Sequence, residues 1–359
     1  AAVRYAAENG LPVGVLATGH GSTTLIDHGM IITTSRMQDL VVDPVDRTVT
    51  VGAGVKWRRV LDEAALHGLT GACGSTSDVG VVGYTLGGGL PLLGRAVGFA
   101  ADHVRSMQVV TADGQLHHVD SEHDVDLFWA LRGGKGNVGI VTSMTVDLMP
   151  ITEIYGGGIF FDGAHAADVL RAFRDATAVA PEHTCLSVAF LRLPPMPDVP
   201  EPLRGRFVMH VRVAHLADRQ ECDELIAPIR AVAPAIMDLV GPMPVTELDR
   251  VHMDPEHPVP AHERGALLTD LDDPTVDALV ELAGPESAAP ILLVEVRQLG
   301  GALSRPGPHP DAIGARGAAY SLFVVGVPMG PVADIVPQAV DSLVDAMAPY
   351  CTGTSFANF

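Results

Sequence analysis

The sequence predicts an α+β fold in two parts, on three observations. A chain of 359 residues is longer than one ordinary core requires. The first 150 residues mix short strands and helices joined by glycine-rich connections. After Pro150 longer apolar runs alternate with amphipathic helices, the layout of a sheet covered on one side by helices. Residues 1–150 are therefore read as one domain, 151–350 as a second, and 351–359 as a short closing segment.

Each element has a local reason. Ala1 to Asn9 is rich in helix formers and stops at Gly10. LPVGVLATG reads as a short buried strand. IDHGMIITTSRM, LVVDPVDRTVTVGAG and VRSMQVVTADGQLHHVD are β-rich and bounded by His-Gly, Asp-Pro or Asp-Gly turns. In KWRRVLDEAALHG the apolar residues Trp57, Val60, Leu61, Ala64 and Ala65 recur at helical spacing. DVDLFWALRGG is a second short helix. In the second part, GGGIFFDG, CLSVAFLRL, RFVMHVRVAH, PILLVEVRQLGG and YSLFVVGVPM read as strands. AHAADVLRAFRDATAVA, DRQECDELIAPIRAVA and VADIVPQAVDSLVDAMAPY read as helices, and the proline-rich LRLPPMPDVPEPLRG reads as a loop.

Composition excludes several classes. The formal net charge is −20, from 43 acidic against 23 basic residues, and no basic stripe is present, which argues against a nucleic-acid partner. No apolar run reaches the length of a membrane span. The four cysteines, Cys73, Cys185, Cys222 and Cys351, form no CxxC pair and no disulfide framework, which favours a reducing, cytoplasmic setting. No leader is visible, and both ends read as clipped. No GxGxxG opens a helix after a first strand and no P-loop is present, so nicotinamide Rossmann and P-loop readings are disfavoured.

Three segments carry chemistry. Thr18-Gly19-His20-Gly21-Ser22 follows a strand; small residues there let the backbone approach a ligand, and its N–H groups suit an anion such as a pyrophosphate. By itself, a histidine beside glycines is most often a turn residue, and His20 alone reads so. The run from Gly74 to Gly89 is too rich in small and hydroxyl residues for an ordinary helix or central strand. Its interleaved Val79, Val81, Val82, Tyr84 and Leu86 want burial, which favours a ligand loop over a linker. The run from Leu131 to Thr142 is a glycine-rich turn between a helix and a strand, where Arg132 and Lys135 read as solvated charges.

In this order the pieces resemble the FAD-linked oxidase superfamily of vanillyl-alcohol oxidase and p-cresol methylhydroxylase, in its berberine-bridge-enzyme-like branch. The matching stretches are ATGHGS at 17–22, GSTSDVGVVGYTLGGG at 74–89, GFAADHV at 98–104, DLFWALRGGKGNVGIVT at 126–142, EVRQLGGA at 295–302 and the closing SFANF at 355–359. The resemblance implies a two-subdomain FAD-binding domain, followed by a substrate domain with an antiparallel sheet backed by helices. The family continues past the closing segment with a helix and a strand.

The resemblance also implies roles. FAD is joined covalently through His20. Thr76 stands where many members carry a second attachment cysteine, which implies a single link, although a loop shift would bring Cys73 into reach. Thr18, Gly19, Gly21, Ser22, Thr76, Val79, Gly80, Gly83, Tyr84, Gly87, Gly88 and Gly89 would contact the cofactor, with Gly139, Ile140 and Val141 near the adenine. Asp102 and His103 would hold structure. Phe356 replaces the aromatic hydroxyl residue of a Tyr-x-Asn segment, while Asn358 is retained.

The implied activity is oxidation of a small alcohol, sugar, amine or secondary-metabolite intermediate by hydride transfer to flavin N5, with O2 as acceptor. An NADPH-dependent flavin reductase of the cell-wall precursor type and a non-catalytic flavin-binding protein are the alternatives. Catalytic candidates are Tyr84, Glu295, Arg297 and Asn358, with His210 a further base candidate on a strand of the same sheet. Strand alternation puts Glu295 and Arg297 on one face, either as base and anion anchor if that face meets the flavin, or as a salt bridge or cover for the back of the sheet. Tyr84 either lines the cavity or packs. No metal is expected, because His252, His257 and His262 fit no ligand spacing and read as solvent-facing loop residues.

Overall fold

The computed structural model describes residues 1–21, 28–255, 257 and 259–358. A five-stranded antiparallel sheet runs in the order Leu40–Asp43, Thr48–Gly52, Ile140–Asp147, Val104–Val110, Leu116–Asp120. Its core holds Val49, Val51, Met107, Val109, Met144 and Val146 from the strands. Helix Trp57–Ala65 adds Trp57, Val60, Leu61 and Ala64, while the fifth expected residue, Ala65, is exposed.

The second sheet is also antiparallel and has eight strands. Seven run in the order Met237–Asp238, Glu153–Asp162, Phe207–His215, Thr184–Arg192, Leu293–Gln298, Tyr320–Gly326, His262–Leu268, and Gly241–Pro244 pairs beside Glu153–Asp162. Register decides its two faces. Val211, Val188, Val296 and Leu322 lie in one cross-strand row, and Met209, Phe190, Val294 and Val324 in the next. This apolar face packs on helices Ala166–Val179, Arg219–Arg230, Asp273–Ala283 and Val336–Ala346 through Phe173, Ile226, Leu279 and Val340, all fully buried. Each such side chain stabilises by about 1.5–3 kcal/mol. The segment from Gly241 to His252 crosses to the other side, where Met243, Val245, Leu248 and Val251 join the core of the first sheet.

Several expectations need correction. Among the described residues the first strand, Val13–Leu16, pairs with Met30–Thr33 alone, in a parallel ribbon, and Val15 is 50% exposed, so it is not a buried strand. The run 74–89 does contain a helix, Val81–Leu86, because Val81, Val82 and Leu86 have a core to enter. His252 ends a short helix, Asp249–His252, and is buried, while His262 begins a strand. Met237–Asp238, Gly241–Pro244, His262–Leu268, Asp249–His252 and Asp273–Ala283 went unread as elements. All four cysteines are free, and no helix among the described residues is long and apolar enough to cross a membrane.

Candidate functional site

The three glycine-rich segments, far apart in sequence, meet. A Cβ on Gly80 would stand 3.5 Å from Thr18 Cγ2, and one on Gly21 would stand 3.9 Å from Lys135 Nζ. The Gly133 and Lys135 amides both donate to Leu86 O, at 3.0 and 2.9 Å. Gly83 is exposed and has open space where its Cβ would be. The His20 ring is exposed, and its Nδ1 lies 2.9 Å from Thr18 Oγ1. Ser22 lies outside the described residues. The result is an open cradle with small residues at its lip and one ammonium beside it, and burial pulls the Lys135 amine below its ordinary range. It suits a large anionic ligand that needs close backbone approach.

The glycine triplet has internal reasons of its own. A Cβ on Gly87 would overlap the Asn358 amide, and one on Gly89 would stand 2.5 Å from the Tyr84 ring. Gly88 has φ +98, with Ile313 Cγ1 3.4 Å from its Cβ position. These glycines therefore make room for protein side chains. Gly139 likewise sits tight on Val109, 2.6 Å from its Cβ position, and Val141 is core.

The closing segment returns to this loop. Asn358 Nδ2 donates to Tyr84 O at 2.8 Å, and Phe356 packs edge-on to Phe99 at 5.3 Å. Asn358 thus positions the helix carrying Tyr84. The Tyr84 ring packs edge-on to Trp57 at 5.9 Å, and its hydroxyl is buried without a hydrogen-bond partner. Burial pushes the phenol well above its ordinary range. Thr76 Oγ1 accepts from the Asp78 amide at 3.3 Å, and Trp57 N donates to Val79 O at 3.0 Å, so both residues fix the loop. Cys73 is buried, its thiol is turned toward Thr76 O at 3.6 Å, and burial raises its pKa.

The polar face of the eight-stranded sheet carries Glu295 and Arg297, as alternation requires. They form a salt bridge, with Arg297 Nε donating to Glu295 Oε1 at 2.8 Å. Arg212 Nη1 lies 3.1 Å from Glu295 Oε2. Burial by itself would raise the Glu295 carboxyl, but the two guanidiniums outweigh it and hold the group well below the usual carboxylate range. A carboxylate so held is a poor proton acceptor, so Glu295 as base gives way to Glu295 as the anion between two arginines. His210, a candidate from the sequence, belongs to this cluster, and so do Arg212 and His252, which sequence reading did not place there. Arg297 Nη2 donates to His252 Nε2 at 3.0 Å.

Two other charges differ from expectation. Arg132 is 1% exposed, lies over the Phe128 ring at 4.2 Å and donates to Pro310 O. It is a structural clamp, not a solvated charge. Asp102 is structural as expected, accepting from the Phe99 amide at 2.8 Å and from Arg316 Nη2 at 2.6 Å. His103 is also structural, with Nε2 2.9 Å from Val97 O.

Residues 1–120 match the family model described as FAD binding domain. The chain has the fold of 6-hydroxy-D-nicotine oxidase from Arthrobacter nicotinovorans, with TM-score 0.82, 22% identity, 99% of this chain and 80% of that one covered. It also has the fold of Physcomitrella patens BBE-like 1, with TM-score 0.84, 18% identity, 100% of this chain and 80% of that one. The family match is confined to residues 1–120, about a third of the chain, and what the two solved structures share with it is the fold. Among curated relatives, FAD-linked oxidoreductase OXR1 of Pyricularia oryzae is 40% identical over 167 residues, which is 44% of this chain and 31% of that protein. The match therefore spans about a third of that relative's length.

Proposed function

We propose that the chain holds FAD in the cradle and oxidises a small organic molecule lying between the cradle and the polar face of the eight-stranded sheet. The observation that carries this is the convergence of residues 17–21, 80–86 and 133–135 on one open lip, with Lys135 beside it. When bound, FAD supplies a two-electron oxidant, with O2 as the proposed final acceptor.

The chain's own residues do the rest. Thr18 to Gly21 and Gly80 let the backbone close on the pyrophosphate, and Lys135 offsets its charge. His20, exposed at the tip of its turn and braced by Thr18, is the proposed attachment residue. A single link is favoured, because Thr76 cannot form the second and the Cys73 thiol is buried and held protonated. Glu295 fixes Arg212 and Arg297, which orient the substrate. Tyr84 Oη is buried without a hydrogen-bond partner, so its proton is free to turn toward a bound molecule.

The test is anaerobic mixing of the flavin-loaded protein with alcohols, sugars and amines, and separately with NADPH. Bleaching of the flavin band by an organic substrate, reversed by O2, is expected. Bleaching by NADPH with no response to any organic substrate would overturn the oxidase reading.

A further inference from the structure

The polar face of the sheet holds more hydrogen-bond donors than acceptors. His210 and Glu295 flank Ala189 in one cross-strand row, and Arg212 and Arg297 flank Ser187 in the next. His210 is fully buried, and Arg212, His252 and Glu295 are 2%, 5% and 5% exposed. Arg212 Nε donates to His210 Nδ1 at 3.1 Å, as Arg297 does to His252 Nε2. A guanidinium only donates, so both accepting nitrogens carry a lone pair. The ring protons then sit on His210 Nε2 and His252 Nδ1. Neither has a partner.

Two further atoms are unpartnered. Arg212 Nη1 makes its ion pair with Glu295 outside hydrogen-bond direction, and Ser187 Oγ is also without a partner. The charges do not balance within the cluster, since two guanidiniums face one carboxylate. Asp254 adds attraction to Arg297. Ser187, Arg212 and His252 line one small cavity with Arg297, Cys185 and Leu92. Leu92 lies three residues past the glycine triplet, so the cavity adjoins the cradle loop.

Buried donors persist when something accepts from them, and an excess buried cation requires an anion. We propose that this cavity anchors a carboxylate of the substrate, so that the molecule oxidised is an organic acid. The carboxylate is a spectator: Arg212 neutralises it, and Ser187 and His252 donate to its oxygens. No bond to it is made or broken, and its function is to fix the distance between the anchored end and the carbon that reacts. This rests on the reading of the face as the substrate side of a flavin site.

Benzoate and its neutral analogue benzamide separate charge from shape. Titrated into the flavin-loaded protein and followed by the flavin difference spectrum and by calorimetry, benzoate is expected to bind at least tenfold tighter than benzamide. Arg212→Met should lower benzoate affinity tenfold or more while leaving flavin content and benzamide affinity unchanged. Ser187→Ala, which keeps every charge, should lower benzoate affinity about threefold and guards against a misfolded arginine variant. Equal binding of the two probes would overturn the anchor. Flavin loss in Arg212→Met beside full loading in Ser187→Ala would assign the donors to the cofactor, and would overturn it too. A flavin-free wild type would contradict the cofactor reading instead, and calorimetry with benzoate would still decide the anchor.

Discussion

Glu295 shows how a single residue's role depends on its partners. As a solvated strand carboxylate it would serve as a base; between Arg212 and Arg297 it is the anion that lets two cations be buried. Removing one member of such a group leaves charge uncompensated, so Glu295→Gln should cost about 3–5 kcal/mol in urea unfolding. A change below about 1 kcal/mol would mean that the cluster is solvated. The two imidazoles give a pH test. Burial pushes His210 well below its ordinary value of 6.5, and His252 in the same direction. Below that value the unfolded chain takes up protons that the folded chain refuses, so stability should fall as pH drops through about 6.5. Glu295 has the opposite ionisation and a lower window. Its contribution is present above about pH 4.3 and is lost only as pH falls through its depressed folded value. His210→Gln should flatten the loss between about pH 7 and 5.5, as read by the denaturant midpoint. An unchanged slope would mean that His210 is protonated in the folded state.

At the level of elements, helix Val81–Leu86 and the triplet after it join the cradle to the core. The valines enter the apolar core, Gly83 faces open space, and Gly87 to Gly89 give room to Asn358, Tyr84 and Ala100. Gly88→Val forces a β-branched residue to φ +98 against Ile313. It should cost about 1–3 kcal/mol and lower flavin content with it, since ligand binding and folding are linked. Normal loading and an unchanged melting temperature would detach the triplet from the site. This region also shows what sequence reading resolves. Its glycine content marked a close approach, but composition does not say whether a ligand or a side chain comes close. Elements with strong periodicity, such as Trp57–Ala65 and Ala166–Val179, were legible. Asp249–His252 was not, because four residues are too few to carry a period; their helix exists only because Val251 and His252 find buried places in the tertiary structure. The polar cluster was half legible: alternation paired Glu295 with Arg297, whereas His210 and Arg212 join them through register across Thr184–Arg192, which no single strand's sequence encodes.

For the molecule as a whole, Arg95 ties the loop after the triplet to the second sheet. It is 7% exposed and donates to Thr184 O at 2.8 Å, to Ala180 O at 3.0 Å and to Leu299 O. Arg95→Met should cost about 3 kcal/mol, because two buried carbonyls and one half-buried carbonyl lose a charged donor, and should also weaken benzoate binding by loosening the cavity. A stability loss under about 0.5 kcal/mol would mean that the two sheets hold together without it. The shared core, in which Val251 and Leu248 pack with Val60 and Leu61, makes the cradle and the polar face parts of one structure. The proposed function depends on that juxtaposition and on a flavin fixed at its lip. The most direct test is mass spectrometry of the tryptic peptide spanning residues 5–36, from protein precipitated in acid. A peptide heavier by one flavin nucleotide, fragmenting at His20 and absent in His20→Ala, is the expected result. Complete release of flavin into the acid supernatant, or its recovery on the peptide containing Cys73, would contradict it.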